Sequence, residues 1–152
     1  MDDKIQTTAE LHEAQALPRR HAVHTDPKAG CAETRPMPDV LAKKPVESKS
    51  PAEWAYERLI LYIKNFEEQL DNEHEAAMGF AGADAGVIRI EGIGFFDPDI
   101  VTFYGSDPAG TKTQLIQHVT QLNVMLRALP KQVQEQAPRR IGFRLAEDLQ
   151  AG

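Results

Sequence analysis

Apolar residues fall into regular patterns from residue 50 onward, and almost nowhere before it. Ala55, Leu59, Tyr62, Ile63, Phe66 and Leu70 recur at helical spacing, with Glu57, Lys64, Glu67 and Glu68 mostly on the opposite side. Ser50-Pro51-Ala52-Glu53 reads as the start of that helix. The hydroxyl can cap free amides, proline suits the first helical position, and the glutamate stands where a capping-box carboxylate belongs. The spacing predicts a helix from Pro51 to about Asn72. Three short strands follow, over residues 75–81, 87–95 and 100–104. The second shows Ile88 and Ile90 alternating with Arg89 and Glu91, and Asp97-Pro98-Asp99 makes a turn before the third. Leu115, Val119, Leu122, Leu126 and Leu129 then supply a second helical stripe. That predicts a helix from Pro108 to Leu129, capped by Asp107, or by Thr111 where the first turn frays, and closed by Pro130. A final strand is read in Arg140–Leu145. The expected fold is α+β: an antiparallel three- to four-stranded sheet with two helices, in the order α-β-β-β-α-β, preceded by a disordered N-terminal tail. The expected boundaries are a flexible leader over 1–49, a single domain over 50–146 and a short C-terminal tail over 147–152.

The leader reading follows from the same pattern. Residues 1–50 are rich in Ala, Pro, Thr, His and Lys and hold few large apolar side chains. Leu11, Leu17, Val40 and Leu41 are too scattered to offset a backbone ordering cost of about 1–2 kcal/mol per residue. About 95 residues remain for the folded part, enough for one core.

Charge narrows the function classes. The chain carries a formal net charge of −6, and residues 51–146 hold nine basic against thirteen acidic side chains. Duplex nucleic acid is bound chiefly through clustered Lys and Arg, so this balance disfavours it; Arg139, Arg140 and Arg144 form the best local basic patch for RNA. The single cysteine, Cys31, excludes an internal disulfide framework. Met1 is followed by Asp2 and Asp3 rather than by a basic stretch and an apolar run. No segment approaches the roughly 20 apolar residues that span a bilayer. The expected location is the cytoplasm, away from the membrane.

No complete catalytic, cofactor or metal motif emerges. Asp71, Glu73, His74 and Glu75 are the densest set of potential ligands, but neighbours on a strand point to alternate faces and cannot converge. His118 reads as a boundary residue of the second helix. The glycines Gly92 and Gly94 lack the spacing of a dinucleotide loop. Gly110, Thr111 and Lys112, at the expected helix start, are a candidate anion site, and residues 105–112 the place where a ligand pocket or an enzyme site is sought. Phe95, Phe96, Phe103 and Tyr104 crowd one sheet corner, and because adjacent strand residues cannot share a face, part of this set is expected at the surface.

The order α-β-β-β-α is similar to that of double-stranded RNA-binding domains, but the basic cluster which those carry at the second helix is represented here by Lys112 alone. GIGFFDPDIVTFYGSDPAGTKTQLIQHVTQLNVMLRALPK, with PRRIGFRL after it, resembles a small uncharacterised bacterial family, a domain of unknown function, over about Trp54 to Leu145. The resemblance implies a bacterial, cytosolic, single-domain protein and supplies no activity or catalytic residues to carry over. The expected function is a non-enzymatic protein-interaction or self-association module without cofactor or metal, with Phe96, Tyr104, Arg140 and Arg144 as interface candidates.

Overall fold

In the computed structural model, residues 20–36, 48–80, 86–133 and 136–151 are described. Contacts divide the chain into Met1–Lys49 and Ser50–Gly152. Among its described residues the first unit shows a 3-10 turn over Ala32–Thr34. Most of the expected leader lies outside the described residues.

The second unit opens on helix α1, Pro51–Glu68, and its start is the one the sequence announces. Ser50 Oγ accepts from the Glu53 amide at 3.0 Å. The same hydroxyl donates to the Asp97 carboxylate, and the Ala52 amide donates to the Pro98 carbonyl at 3.0 Å. One serine therefore caps the helix and fastens the turn between the second and third strands to it. Ser50→Ala is expected to lower stability by about 1–2 kcal/mol, read in urea or thermal unfolding, with no change in the folded circular dichroism spectrum.

Five strands follow: β1 His74–Phe80, β2 Val87–Phe96, β3 Ile100–Ser106, β4 Lys112–His118 and β5 Val124–Pro130. Every neighbouring pair is antiparallel, in the order β4-β3-β2-β1-β5. Helix α2, Ile141–Ala151, closes the chain against α1 and β2.

Two expected elements are corrected here. Residues 108–129 form β4 and β5, joined by a 3-10 turn at Val119–Gln121, and no helix. The 4-3-4-3 leucine spacing that imitates a helix is the sum of two strands and a tight turn. Thr111, Thr113, Ile116, Val119, Thr120 and Val124 are β-branched, which favours the pleated alternative. Conversely, the expected strand at 140–145 is the first part of α2. Ile141, Leu145 and Leu149 recur at four-residue spacing against the core, and the helix runs on to Ala151, past the expected end of the domain. The fold is α+β with two helices, and its sheet has five strands rather than three or four.

β4 and β5 are the opposite edges of the sheet, yet only residues 119–123 separate them. A flat sheet would hold its edges about 19 Å apart, four spacings of ~4.8 Å. His118 also lies at the start of β3 whereas Val124 lies at the end of β1. Five residues containing a 3-10 turn cannot cover that diagonal, so the sheet curls around α1. The core fills the curl: Ala52, Ala55, Tyr56, Ile60 and Ile63 from α1 meet Ala76, Met78, Ile88, Ile90, Ile93, Val101 and Phe103 from the sheet and Leu145 from α2.

Wrapping explains a further correction. Part of the side of α1 read from sequence as polar is covered: Glu57 and Glu67 are buried, Lys64 is half-buried and Glu68 is exposed. Tyr62, read as apolar-face, is 45% exposed. The buried face is rotated to 52-56-60-63-67 because α2 packs there.

Candidate functional site

Strand alternation sorts the four clustered aromatics. Phe103 is fully buried, with its ring 5.0 Å from Phe80. Phe95 turns to α1, its ring 5.0 Å from Tyr56. Their neighbours Phe96 and Tyr104 point the other way, 76% and 43% exposed. Both lie on the face of β2-β3-β4 that turns away from α1.

Pairing builds this outer face row by row. Gly92 stands opposite Tyr104, Gly94 opposite Thr102, and Phe96 opposite Ile100. On the next strand Tyr104 meets Gln114, Thr102 meets Ile116, and Ser106 meets Lys112. The two glycines leave room for the Tyr104 ring to lie across β2: a Cβ at Gly92 would be 3.6 Å from Tyr104 Cδ2, and one at Gly94 would be 3.8 Å from Cε2. Ile116, 62% exposed, extends the apolar surface to the sheet edge. Sequence reasoning missed Ile116 because it placed this segment in a helix.

Polar side-chain contacts close the β4 edge at both ends. Lys112 Nζ donates to both oxygens of Glu91, at 3.0 and 2.9 Å, and Ser106 Oγ donates to the same carboxylate at 2.9 Å. Those two donors hold the Glu91 carboxyl below the usual range. At the other end His118 Nε2 lies 3.0 Å from Asp99 Oδ2. Between these ends Thr113–Gln117 carries no charge, no proline and no register shift. β5, at the opposite edge, has Arg127 at its centre and Pro130 at its end. Edge strands are ordinarily protected by charge, proline or bulges; β5 has two of these and the middle of β4 has none.

The other interface candidates lie elsewhere. Arg140 donates to the carbonyls of His74 at 2.7 Å and Asp71 at 2.9 Å, tying the start of α2 to the entry of β1. Arg144 is exposed on α2, on the helical side of the sheet. Arg139 lies 3.5 Å from Glu75, which also meets Arg89 at 3.5 Å. The three arginines of the RNA reading are therefore not one free basic surface. At Gly110, Thr111 and Lys112 there is a hairpin turn and no helix start. The Gly110 amide donates to the Asp107 carbonyl, the Thr111 amide to Asp107 Oδ1, both at 2.9 Å, and Lys112 is held by Glu91.

Asp71, Glu73, His74 and Glu75 separate into different contacts: Asp71 with His74 at 2.7 Å, Glu73 with Lys131 at 3.7 Å, Glu75 with two arginines. Among the described residues no group of three or more His, Cys, Asp or Glu could hold a metal ion.

His118 forms an arrangement that the sequence concealed. The Thr120 amide donates to Nδ1 at 3.2 Å, which leaves the ring proton on Nε2 facing Asp99. The Thr120 hydroxyl is 2.8 Å from Nδ1. This carboxylate–imidazole–hydroxyl string resembles a nucleophile relay. The nearby amides that would stabilise an oxyanion are already spent, Val119 on the Asp99 carbonyl and Thr120 on the ring. The Gln121 side chain accepts from the His118 amide at 2.9 Å, completing a cap on the 3-10 turn.

A cavity of about 280 Å³ opens between α1 and the start of β5, lined by Leu59, Tyr62, Ile63, Leu122, Val124 and Leu126. A smaller one, about 140 Å³, lies beside Glu75, Gln132, Gln136 and Arg139. Neither is lined by residues 105–112. Among the described residues no helix is long and apolar enough to cross a membrane.

A family of unknown function, DUF6173, matches residues 45–144. No curated protein and no solved structure gives a significant match.

Proposed function

We propose, for a chain that belongs to the DUF6173 family and so inherits no assigned activity, that the domain is a non-enzymatic interaction module which accepts an added strand at β4. The observation that carries this reading is the edge itself. β4 is paired along its whole length on one side and uncharged through its middle; its outer face carries Ile116, with Tyr104 beside it on β3 and Phe96 beyond on β2. Strand addition draws affinity from main-chain hydrogen bonds and specificity from side chains beside the edge. Exposed aromatics next to such an edge are the usual energetic anchors of an interface.

A photo-reactive side chain at Gln114, introduced in the source cells, tests it. Covalent adducts are expected at Gln114. Phe96→Ala with Tyr104→Ala is expected to weaken the interaction by about 1–2 kcal/mol while leaving circular dichroism unchanged. Loss of the folded spectrum, or adducts of undiminished yield in the double variant, would contradict the reading.

A second reading rests on the cavity beside Leu59 and Leu126. Its size is near the lower end for small-ligand sites and its lining is apolar, which suits a compact uncharged ligand. A thermal-shift panel of small aromatic and aliphatic compounds tests it: a ligand selective for the native state raises the melting temperature, and Leu126→Trp, which fills the space, is expected to abolish the shift.

A further inference from the structure

We infer that the strand added at β4 is β4 of a second copy, paired antiparallel about a two-fold axis at Leu115. This rests on the strand-addition reading above and names its partner.

Three observations select that occupant and register. Faces must match across a continuous sheet, so a symmetric pair must centre on a residue rather than between two. Centring on Leu115 is the arrangement that overlaps all seven residues, Lys112 to His118; centring on Ile116 overlaps only five. On the core side Leu115 then meets its own copy, and on the outer face Gln114 meets the partner's Ile116.

Charge is compensated within each copy in this register: Lys112 by Glu91 and His118 by Asp99. Five central residues are uncharged, so two copies of a chain of net charge −6 can approach there without opposed like charges. At each end Lys112 falls opposite the partner's His118. Its ammonium then lies between its own Glu91 and the end that carries the partner's Asp99.

The assembly also closes. The remaining edge, β5, carries Arg127 and Pro130, which resist further pairing. A two-fold joint uses β4 in both copies and leaves no second β4 edge for growth.

Sedimentation velocity of the purified full chain, with paired substitutions, tests partner and register together. The wild type is expected at twice the mass of one chain, in a concentration-dependent equilibrium. Gln114→Lys with Ile116→Lys places ammonium groups opposite each other across the joint and is expected to weaken dimerisation at least about tenfold. Gln114→Glu with Ile116→Lys places opposite charges at the same facing positions and is expected to restore dimerisation to within a few-fold of wild type. Both positions are exposed, and circular dichroism should show both variants folded.

A wild type that stays monomeric at about 100 µM would overturn the inference. Adducts at Gln114 in cells would then still uphold strand addition with a different partner. Dimers that withstand the double-lysine variant, or that fail equally in both variants, would also overturn it.

Discussion

Gly142→Ala is expected to destabilise the domain by about 2 kcal/mol, although alanine is the better helix former. Gly142 lies in the first turn of α2, where its amide donates to the buried Glu67 Oε1 at 2.7 Å. A Cβ at this position would collide with that same oxygen and would sit 2.9 Å from Lys64 Cα and 3.1 Å from Lys64 N. The last two atoms are backbone and cannot rotate away, so α2 must lift from α1. Helix propensity returns up to about 1 kcal/mol, whereas overpacking costs about 1–3 kcal/mol and rises when backbone must move. The lift also strains the Tyr56–Asp148 hydrogen bond between the helices, 3.1 Å long. Gly142→Val, with more bulk, is expected to lose more than about 3 kcal/mol. Thermal unfolding should show losses of roughly 8–16 °C for the alanine variant. A melting temperature equal to wild type would show that α2 does not pack as described.

The second large effect is a pH dependence centred on Glu67. Burial pushes this carboxyl up to about 7, against the lowering by the Gly142 amide and by Arg140. One of its oxygens, Oε2, is buried without a hydrogen-bond partner among the described residues. The unfolded chain releases this proton near the ordinary value of 4.5. Between those limits the native state holds more protons than the unfolded state, so stability falls as pH rises. The contribution is complete below about 4.5 and lost by about 7. Its slope reaches up to about 1.4 kcal/mol per pH unit. Glu67→Gln keeps an acceptor for the Gly142 amide and removes the charge. At pH 8 the variant is expected to be more stable than wild type by about 1–3 kcal/mol, with the two within about 1 kcal/mol of each other near pH 4.5. Urea unfolding across that range measures both. Parallel pH profiles for wild type and variant would contradict a protonated, buried Glu67.

Local chemistry made part of this fold legible. The cap at Ser50, the proline after it and the three strands that follow were all readable, because capping and turn geometry are decided by adjacent residues. The stretch from Lys112 to Pro130 was not. Leu115, Val119, Leu122 and Leu126 keep a helical interval across what is really a strand, a turn and a second strand. The interval survives only because the 3-10 turn capped by His118 has the right length. Ile141, Leu145 and Leu149 carry the opposite lesson. The first five residues of that helix look like a strand, and only the repeat beyond Ala146 exposes the true period.

The outer face of the sheet was half legible for the same reason. The pairs Phe95-Phe96 and Phe103-Tyr104 require one ring of each to face outward. Which ring does so depends on α1 and on the glycines that face Tyr104, both distant in sequence. Ile116 and the open edge were invisible once β4 was taken for a helix. Glu67 appeared solvated because the helix that buries it lies 75 residues further along the chain.

Amide hydrogen exchange along the two edge strands, at low and high protein concentration, tests the central claim most directly. The account predicts that amides of Thr113–Gln117 become protected as concentration rises, while those of β5 exchange at a constant rate. Exchange in β4 that is fast and equal at both concentrations, or protection that appears in β5 instead, would contradict it.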